Sequence, residues 1–162
     1  MDSHLITIEI SERNGPVVAA HAVSEGDALM LVTEQGQMIR FPVEQARLTG
    51  RSAQGVRLVN LDEGDNVIGC VLTTGNDELI LVSHQGLAVR LAEKDPDNGE
   101  ILFRDTGRAT GGVRGMKLQE GQSVISLLVA ESDQQTVLVA TENGYGKRTV
   151  LADFRHSGRG TQ

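Results

Sequence analysis

Aromatic side chains make up only 2% of this 162-residue chain, with no tryptophan and a single tyrosine. Its core must therefore be built from Val, Leu, Ile and Ala, and stacking of unpaired bases on aromatic platforms has little material to work with. Phe41, Phe103, Tyr145 and Phe154 are expected to pack between strands. Proline is scarce at 3 residues and cysteine numbers 1, so an internal disulfide is excluded. Cys70 sits in the apolar run VIGCVL and reads as a buried reduced thiol. No apolar run approaches the ~20 residues of a bilayer-spanning helix, and no charged-then-apolar leader opens the chain. A cytoplasmic protein with no membrane partner is the expectation.

Reactive constellations are missing too. Gly146-Lys147-Arg148-Thr149 lacks the spacing of a phosphate loop and lies in a hairpin, whereas that motif needs a strand-to-helix turn. The four histidines, His4, His21, His84 and His156, show no ligand spacing, and no cysteine pair could hold zinc. Asp95 and Asp97 break the calcium-loop pattern. No local Ser, His and Asp set appears. The chain is therefore read as non-catalytic, with no metal and no cofactor.

What is abundant is glycine, 19 residues, and it recurs in register. Residues 33–42 (TEQGQMIRFP), 83–92 (SHQGLAVRLA) and 141–150 (TENGYGKRTV) share a turn glycine, at Gly36, Gly86 and Gly144. A short apolar run precedes each, as expected of strands buried on both faces, and the Gln-Gly and Asn-Gly pairs predict two-residue hairpins. A second element follows at 50–58 (GRSAQGVRL), 107–118 (GRATGGVRGMKL) and 158–162 (GRGTQ). After the first two comes a further Glu-Gly hairpin, at 61–72 and 118–129. Four short strands in about 50 residues is the size of a propeller blade.

The expected architecture is all-β: one domain over 1–162, propeller-like, of about three four-stranded blades. Blade limits fall at 27–74, 75–132 and 133–162. The third lacks its last two strands, whose counterparts stand at the other end of the chain. LITIEI at 5–10 resembles 56–61, and GPVVAAHAV at 15–23 resembles 66–74. Residues 5–23 are accordingly expected to complete the third blade. Because closed propellers usually carry 4–8 blades, a two-fold homodimer completing a six-bladed ring is the expected assembly.

A net charge of −7 argues against nucleic acid until its distribution is inspected. Three windows following the hairpins, 40–57, 90–117 and 147–159, hold 14 of the 15 cations and 7 of the 22 acids. They carry +7 and the rest of the chain −14. Stacked blades would gather these cations on one rim. Regularly spaced guanidinium forks beside glycine-rich backbone suit phosphates. The candidate DNA-binding residues are Arg40, Arg47, Arg51, Arg57, Arg90, Arg108, Arg114, Lys117, Lys147, Arg148, Arg155 and Arg159. With few aromatics, the expected partner is double-stranded DNA, held by its backbone with little base readout. A protein-binding scaffold, or a self-assembling propeller fragment, is the alternative that the global −7 supports.

ATENGYGKRT at 140–149, SERNGPVV at 11–18, GRSAQGVRL at 50–58 and GRATGGVRG at 107–115 resemble the C-terminal domain of bacterial DNA gyrase A, and more weakly that of topoisomerase IV. The resemblance implies a six-bladed β-pinwheel that binds and bends duplex DNA around a basic perimeter in the bacterial cytoplasm. It also implies a parent ATP-dependent type II topoisomerase, an isomerase that supercoils DNA, whose catalytic tyrosine region and ATPase have no counterpart here. Two departures stand out. The family's Gln-Arg-Arg-Gly-Gly-Lys-Gly type heptapeptide is absent, with the Gly-Arg loops as degenerate counterparts. The segment order also reads as shifted, as in a circularly permuted or engineered half domain.

Overall fold

The computed structural model describes residues 6–50, 53–107 and 110–161. Nine strands form within them: β1 (Ala28–Thr33), β2 (Gln37–Pro42), β3 (Val67–Thr73), β4 (Glu78–Ser83), β5 (Ala88–Ala92), β6 (Val113–Arg114), β7 (Val124–Ala130), β8 (Thr136–Ala140) and β9 (Gly146–Val150). The protein is all-β, in sheets ordered β3-β1-β2-β6, β5-β4-β7 and β8-β9. Every strand pair is antiparallel.

The repeat is reproduced bond for bond. The N–H groups of Val43, Glu93 and Leu151 donate to the carbonyls of Asp27, Asp77 and Gln135, each at 2.9 Å. The turn glycines Gly36, Gly86 and Gly144 all have positive φ, at 85°, 83° and 83°, a region costly for any residue with a Cβ. The hairpin length differs from the expected two residues. Ser83 and Thr141 donate to the carbonyls of Leu87 and Tyr145, both at 2.8 Å, leaving three residues in each loop. The glycine N–H bonds back to Ser83 or Thr141 at 2.9 Å. This is a type I turn followed by a left-handed glycine, whose twist suits a three-residue connection.

Burial on both faces holds for the first two blades. From β1, Met30 and Val32 join Leu79 and Leu81 of β4 in one apolar cluster, while Leu29 and Leu31 turn the other way, toward Val59. From β4, Ile80 and Val82 face the third blade, meeting Val137 and Leu151. Blades one, two and three are thus packed in chain order. In β8 only Val137 is buried, and Leu138 is 70% exposed.

Two expectations about strand ownership change. The element at 113–114 adds to the sheet of the preceding unit, Met38 facing Val113 and Gln37 facing Arg114. Glycine makes this close approach possible: a Cβ on Gly112 would overlap Ile39 and the Met38 carbonyl, and one on Gly115 would overlap Met38 Sδ. Second, residues 6–23 do not complete the third blade of their own chain. They lie, outside any strand, on the far side of blade one, where Glu9 N–H reaches the Ala53 carbonyl at 3.3 Å. Asn14 Nδ2 donates to Gln54 O at 3.2 Å and His21 Nε2 to Cys70 O at 2.7 Å. Blade two stands between that segment and β8–β9, so the chain cannot close on itself without giving up this packing.

Candidate nucleic-acid interface

The second half of each unit forms a loop that docks on the loop of the next unit. Asn60 N–H donates to the Thr110 carbonyl at 2.9 Å, and Lys117 N–H to the Thr161 carbonyl at 2.9 Å, with parallel bridges Val59–Thr110 and Met116–Thr161. Residues 53–60, 110–117 and 158–161 therefore follow one another as a row. Arg57 and Arg114 occupy equivalent positions in it, each two residues before its bridging residue, Val59 or Met116.

Of the twelve candidate cations, Arg47, Arg57, Arg114, Lys117, Lys147, Arg148, Arg155 and Arg159 are exposed. Arg51 and Arg108 lie outside the described residues. Arg40 and Arg90 are corrected, because both are engaged inside the protein. Arg40, with a side chain 11% exposed, bonds Glu93 Oε1 and Thr73 Oγ1 through Nε at 3.1 and 3.2 Å, and Asp105 through Nη1. Arg90 bonds Glu78 at 2.9 Å, Asp133 at 2.6 Å and the Leu151 carbonyl at 3.3 Å. Burial works to lower the Arg90 pKa, but the hydrogen bonds to Asp133 and Glu78 outweigh it and hold the guanidinium above its ordinary value. Both are interblade latches: Asp105 comes from the unit after Arg40, and Asp133 from the unit after Arg90.

The buried Glu93 closes the first latch. One carboxylate oxygen accepts from Arg40 and the other from the N–H groups of Gly75 and Asp77, at 2.8 and 3.0 Å. A buried carboxylate is tolerable only when paired and bonded in this way. The loop glycines also serve a different end from the expected one. The N–H of Gly115 donates to Gly36 O at 2.9 Å and that of Gly160 to Gly115 O at 3.1 Å, so these amides join blades and do not face an anion.

Arg114 and Arg159 share a groove of about 670 Å³ with His156, Gly158, Pro96 and Asp97. The Arg159 guanidinium stands 5.9 Å from the ring centre of buried Phe103, a cation–π contact that orients it without removing it from solvent. Arg104, in the basic window but absent from the candidates, lines the adjoining hollow with Arg159 and is exposed. Its window was the signal that could have included it. Lys94, in the same window, donates to Asn76 Oδ1 at 2.6 Å. Half-buried Cys70 has its pKa raised by burial, keeping the thiol neutral. No helix among the described residues is long and apolar enough to cross a membrane.

The family described as "DNA gyrase C-terminal domain, beta-propeller" matches residues 27–74, 77–95, 102–131 and 135–162. The chain is 38% identical to DNA gyrase A of Klebsiella oxytoca over 159 residues, 98% of this chain and 17% of that protein. To the Escherichia coli K12 protein it is 35% identical over 160 residues. Among solved structures, a topoisomerase IV C-terminal domain superposes with a TM-score of 0.83 at 26% identity, covering 96% of this chain and 46% of that one. A gyrase A C-terminal domain gives 0.72 at 28%, covering 86% and 43%. The chain thus spans about a sixth of the curated relatives and just under half of the solved domains. Alignment in chain order over nearly every residue also removes the expected permutation, since the segments stand in the relatives' own order. Matched by the family model across all three repeats, the chain belongs to the DNA gyrase C-terminal domain family, a β-propeller-type fold.

Proposed function

We propose that this protein is a non-catalytic module that binds and bends double-stranded DNA along its exposed cations. The contacts assigned are Arg47, Arg57, Arg114, Lys117, Lys147, Arg148, Arg155 and Arg159, joined by Arg104. The observation that carries the reading is the row of docked loops, which repeats Asn60–Thr110 at Lys117–Thr161 and so carries Arg57 and Arg114 forward in step. Family membership supports the same partner. With loop amides engaged between blades, affinity rests on side-chain charge and is expected to be indifferent to base sequence.

Anisotropy of a labelled duplex, titrated across salt concentrations, tests this. Each neutralised phosphate releases about 0.9 counterion, so Arg114→Ala with Arg159→Ala should weaken binding and lower the log–log salt slope by about 2. Binding that ignores salt, or a slope unchanged in the double variant, would refute the assignment.

A further inference from the structure

We infer that the hairpin at residues 94–101 is an acidic strap that opposes DNA phosphates at Arg114 and Arg159, holding duplex affinity there below what the arginines alone would give. The inference rests on the duplex-binding reading above and assigns a brake to that same surface. It starts from a difference between repeats. In units one and three the residue after the second strand opens a single 3-10 turn, Val43–Gln45 and Leu151–Asp153. Each turn closes when Ala46 or Phe154 N–H donates back to the Val43 or Leu151 carbonyl at 2.9 Å. In unit two the equivalent carbonyl, that of Glu93, is met instead by Leu102 N–H at 2.8 Å. The residues between them, 94–101, account for the excess of the 58-residue repeat offset over the 50-residue one.

The insertion has a shape of its own. Lys94 and Ile101 form an antiparallel bridge, and Asp95 N–H donates to the Glu100 carbonyl and Gly99 N–H to the Asp95 carbonyl, both at 2.8 Å. Asp95 Oδ1 accepts from the N–H groups of Asp97 and Asn98 at 2.8 and 3.2 Å, which fixes the turn. Lys94, the one cation of the hairpin, is held by Asn76 Oδ1 at 2.6 Å. Asp97 and Glu100 are exposed, and neither side chain makes a hydrogen bond or ion pair among the described residues. Their charges are therefore not needed to build the hairpin.

Their position gives them a role. Asp97 lines the groove of about 670 Å³ that holds Arg114 and Arg159, and Glu100 lines the adjoining hollow of about 190 Å³ with Arg104 and Arg159. Each carboxylate shares a cavity with arginines, yet no ion pair joins strap to arginine among the described residues. The arginines thus stay open to a phosphate, and a phosphate that seats on them must approach two unneutralised negative charges. Like charges at this range repel through solvent, and screening confines the effect to about 10 Å at 0.1 M salt. The strap therefore acts on the cations it adjoins, not on the basic row as a whole.

The test combines Asp97→Asn with Glu100→Gln, which removes both charges at nearly constant size. Because neither side chain is bonded, the thermal midpoint should not move. Anisotropy of a labelled duplex should report binding about 3–10-fold tighter at low salt. The gain should fade as salt shortens the Debye length from about 30 Å at 0.01 M to about 8 Å at 0.15 M. Asp62→Asn with Glu63→Gln changes the net charge equally at a turn that borders neither cavity, and should leave affinity unchanged. In an Arg114→Ala background the gain should fall by roughly half or more, since groups that interact are not additive. An equal gain from Asp62→Asn with Glu63→Gln, or a gain undiminished without Arg114, would overturn the inference. A parent chain that fails to bind duplex at low salt refutes the duplex-binding reading and the strap with it, whereas binding with no gain in the variant refutes the strap alone.

Discussion

Arg90→Met offers the sharpest comparison, because its repeat equivalent Arg148 stands four residues after its own turn glycine yet is exposed and without a hydrogen bond or ion pair among the described residues. Methionine keeps most of the apolar stem of Arg90 and removes only the fork that holds Glu78, Asp133 and the Leu151 carbonyl. Removing one partner of a buried ion pair costs about 3–5 kcal/mol. Here the cost is smaller, since Asp133 is 69% exposed and rehydrates cheaply, leaving Glu78, at 25%, as the stranded charge. About 2–3 kcal/mol is expected for Arg90→Met, and no more than ~0.5 kcal/mol for Arg148→Met. With a urea slope of about 1–3 kcal/mol/M, the first should move the unfolding midpoint by roughly 1 M or more and the second hardly at all. Duplex affinity, measured well below the midpoint, should reverse the ranking: Arg148→Met weakens it and Arg90→Met leaves it alone. Equal stability losses, or an affinity loss confined to Arg90→Met, would refute the division of these arginines into latches and contacts.

Three further outcomes are expected. Gly115→Ala should destabilise by about 1–3 kcal/mol through overpacking against Met38, read as a lowered thermal midpoint, whereas Gly50→Ala, in open space, should cost little. The Gly26 N–H, 2.7 Å from Glu44 Oε1, holds that carboxyl below the usual carboxylate range. Its contribution is therefore present above the unfolded pKa of about 4.3 and lost as pH falls through the lower folded value, so Glu44→Gln should flatten the acid limb of the stability curve. Cys70, pushed up by burial, should react with iodoacetamide at least ~10-fold more slowly in the folded protein than in urea.

Much of the fold was legible because it rests on local chemistry. A glycine at a left-handed turn position and a run such as LILV mark a hairpin wherever they occur, and the 50- and 58-residue offsets revealed the unit. What escaped depends on residues distant in sequence. Nothing around Arg40 announces Asp105, 65 positions away, and Arg90 and Arg148 read alike until Asp133 and Glu78 are seen beside only one of them. The Gly112–Gly115 stretch looked like an anion cradle because bare amides serve either purpose. Only the proximity of Met38 and Ile39 decides that it is a packing surface. The N-terminal strands were recognised for what they are but assigned to the wrong neighbour, since repeat matching identifies a strand's type and not which copy of the hairpin it meets.

Laying β6 on β2 has a consequence for how the molecule comes apart. The first sheet takes one margin from amino acids some 70 positions downstream of its own hairpin, so loosening the middle repeat strips the first one as well, and neither can melt alone. Amide exchange in the first two sheets should therefore rise together, in one step, rather than sheet by sheet.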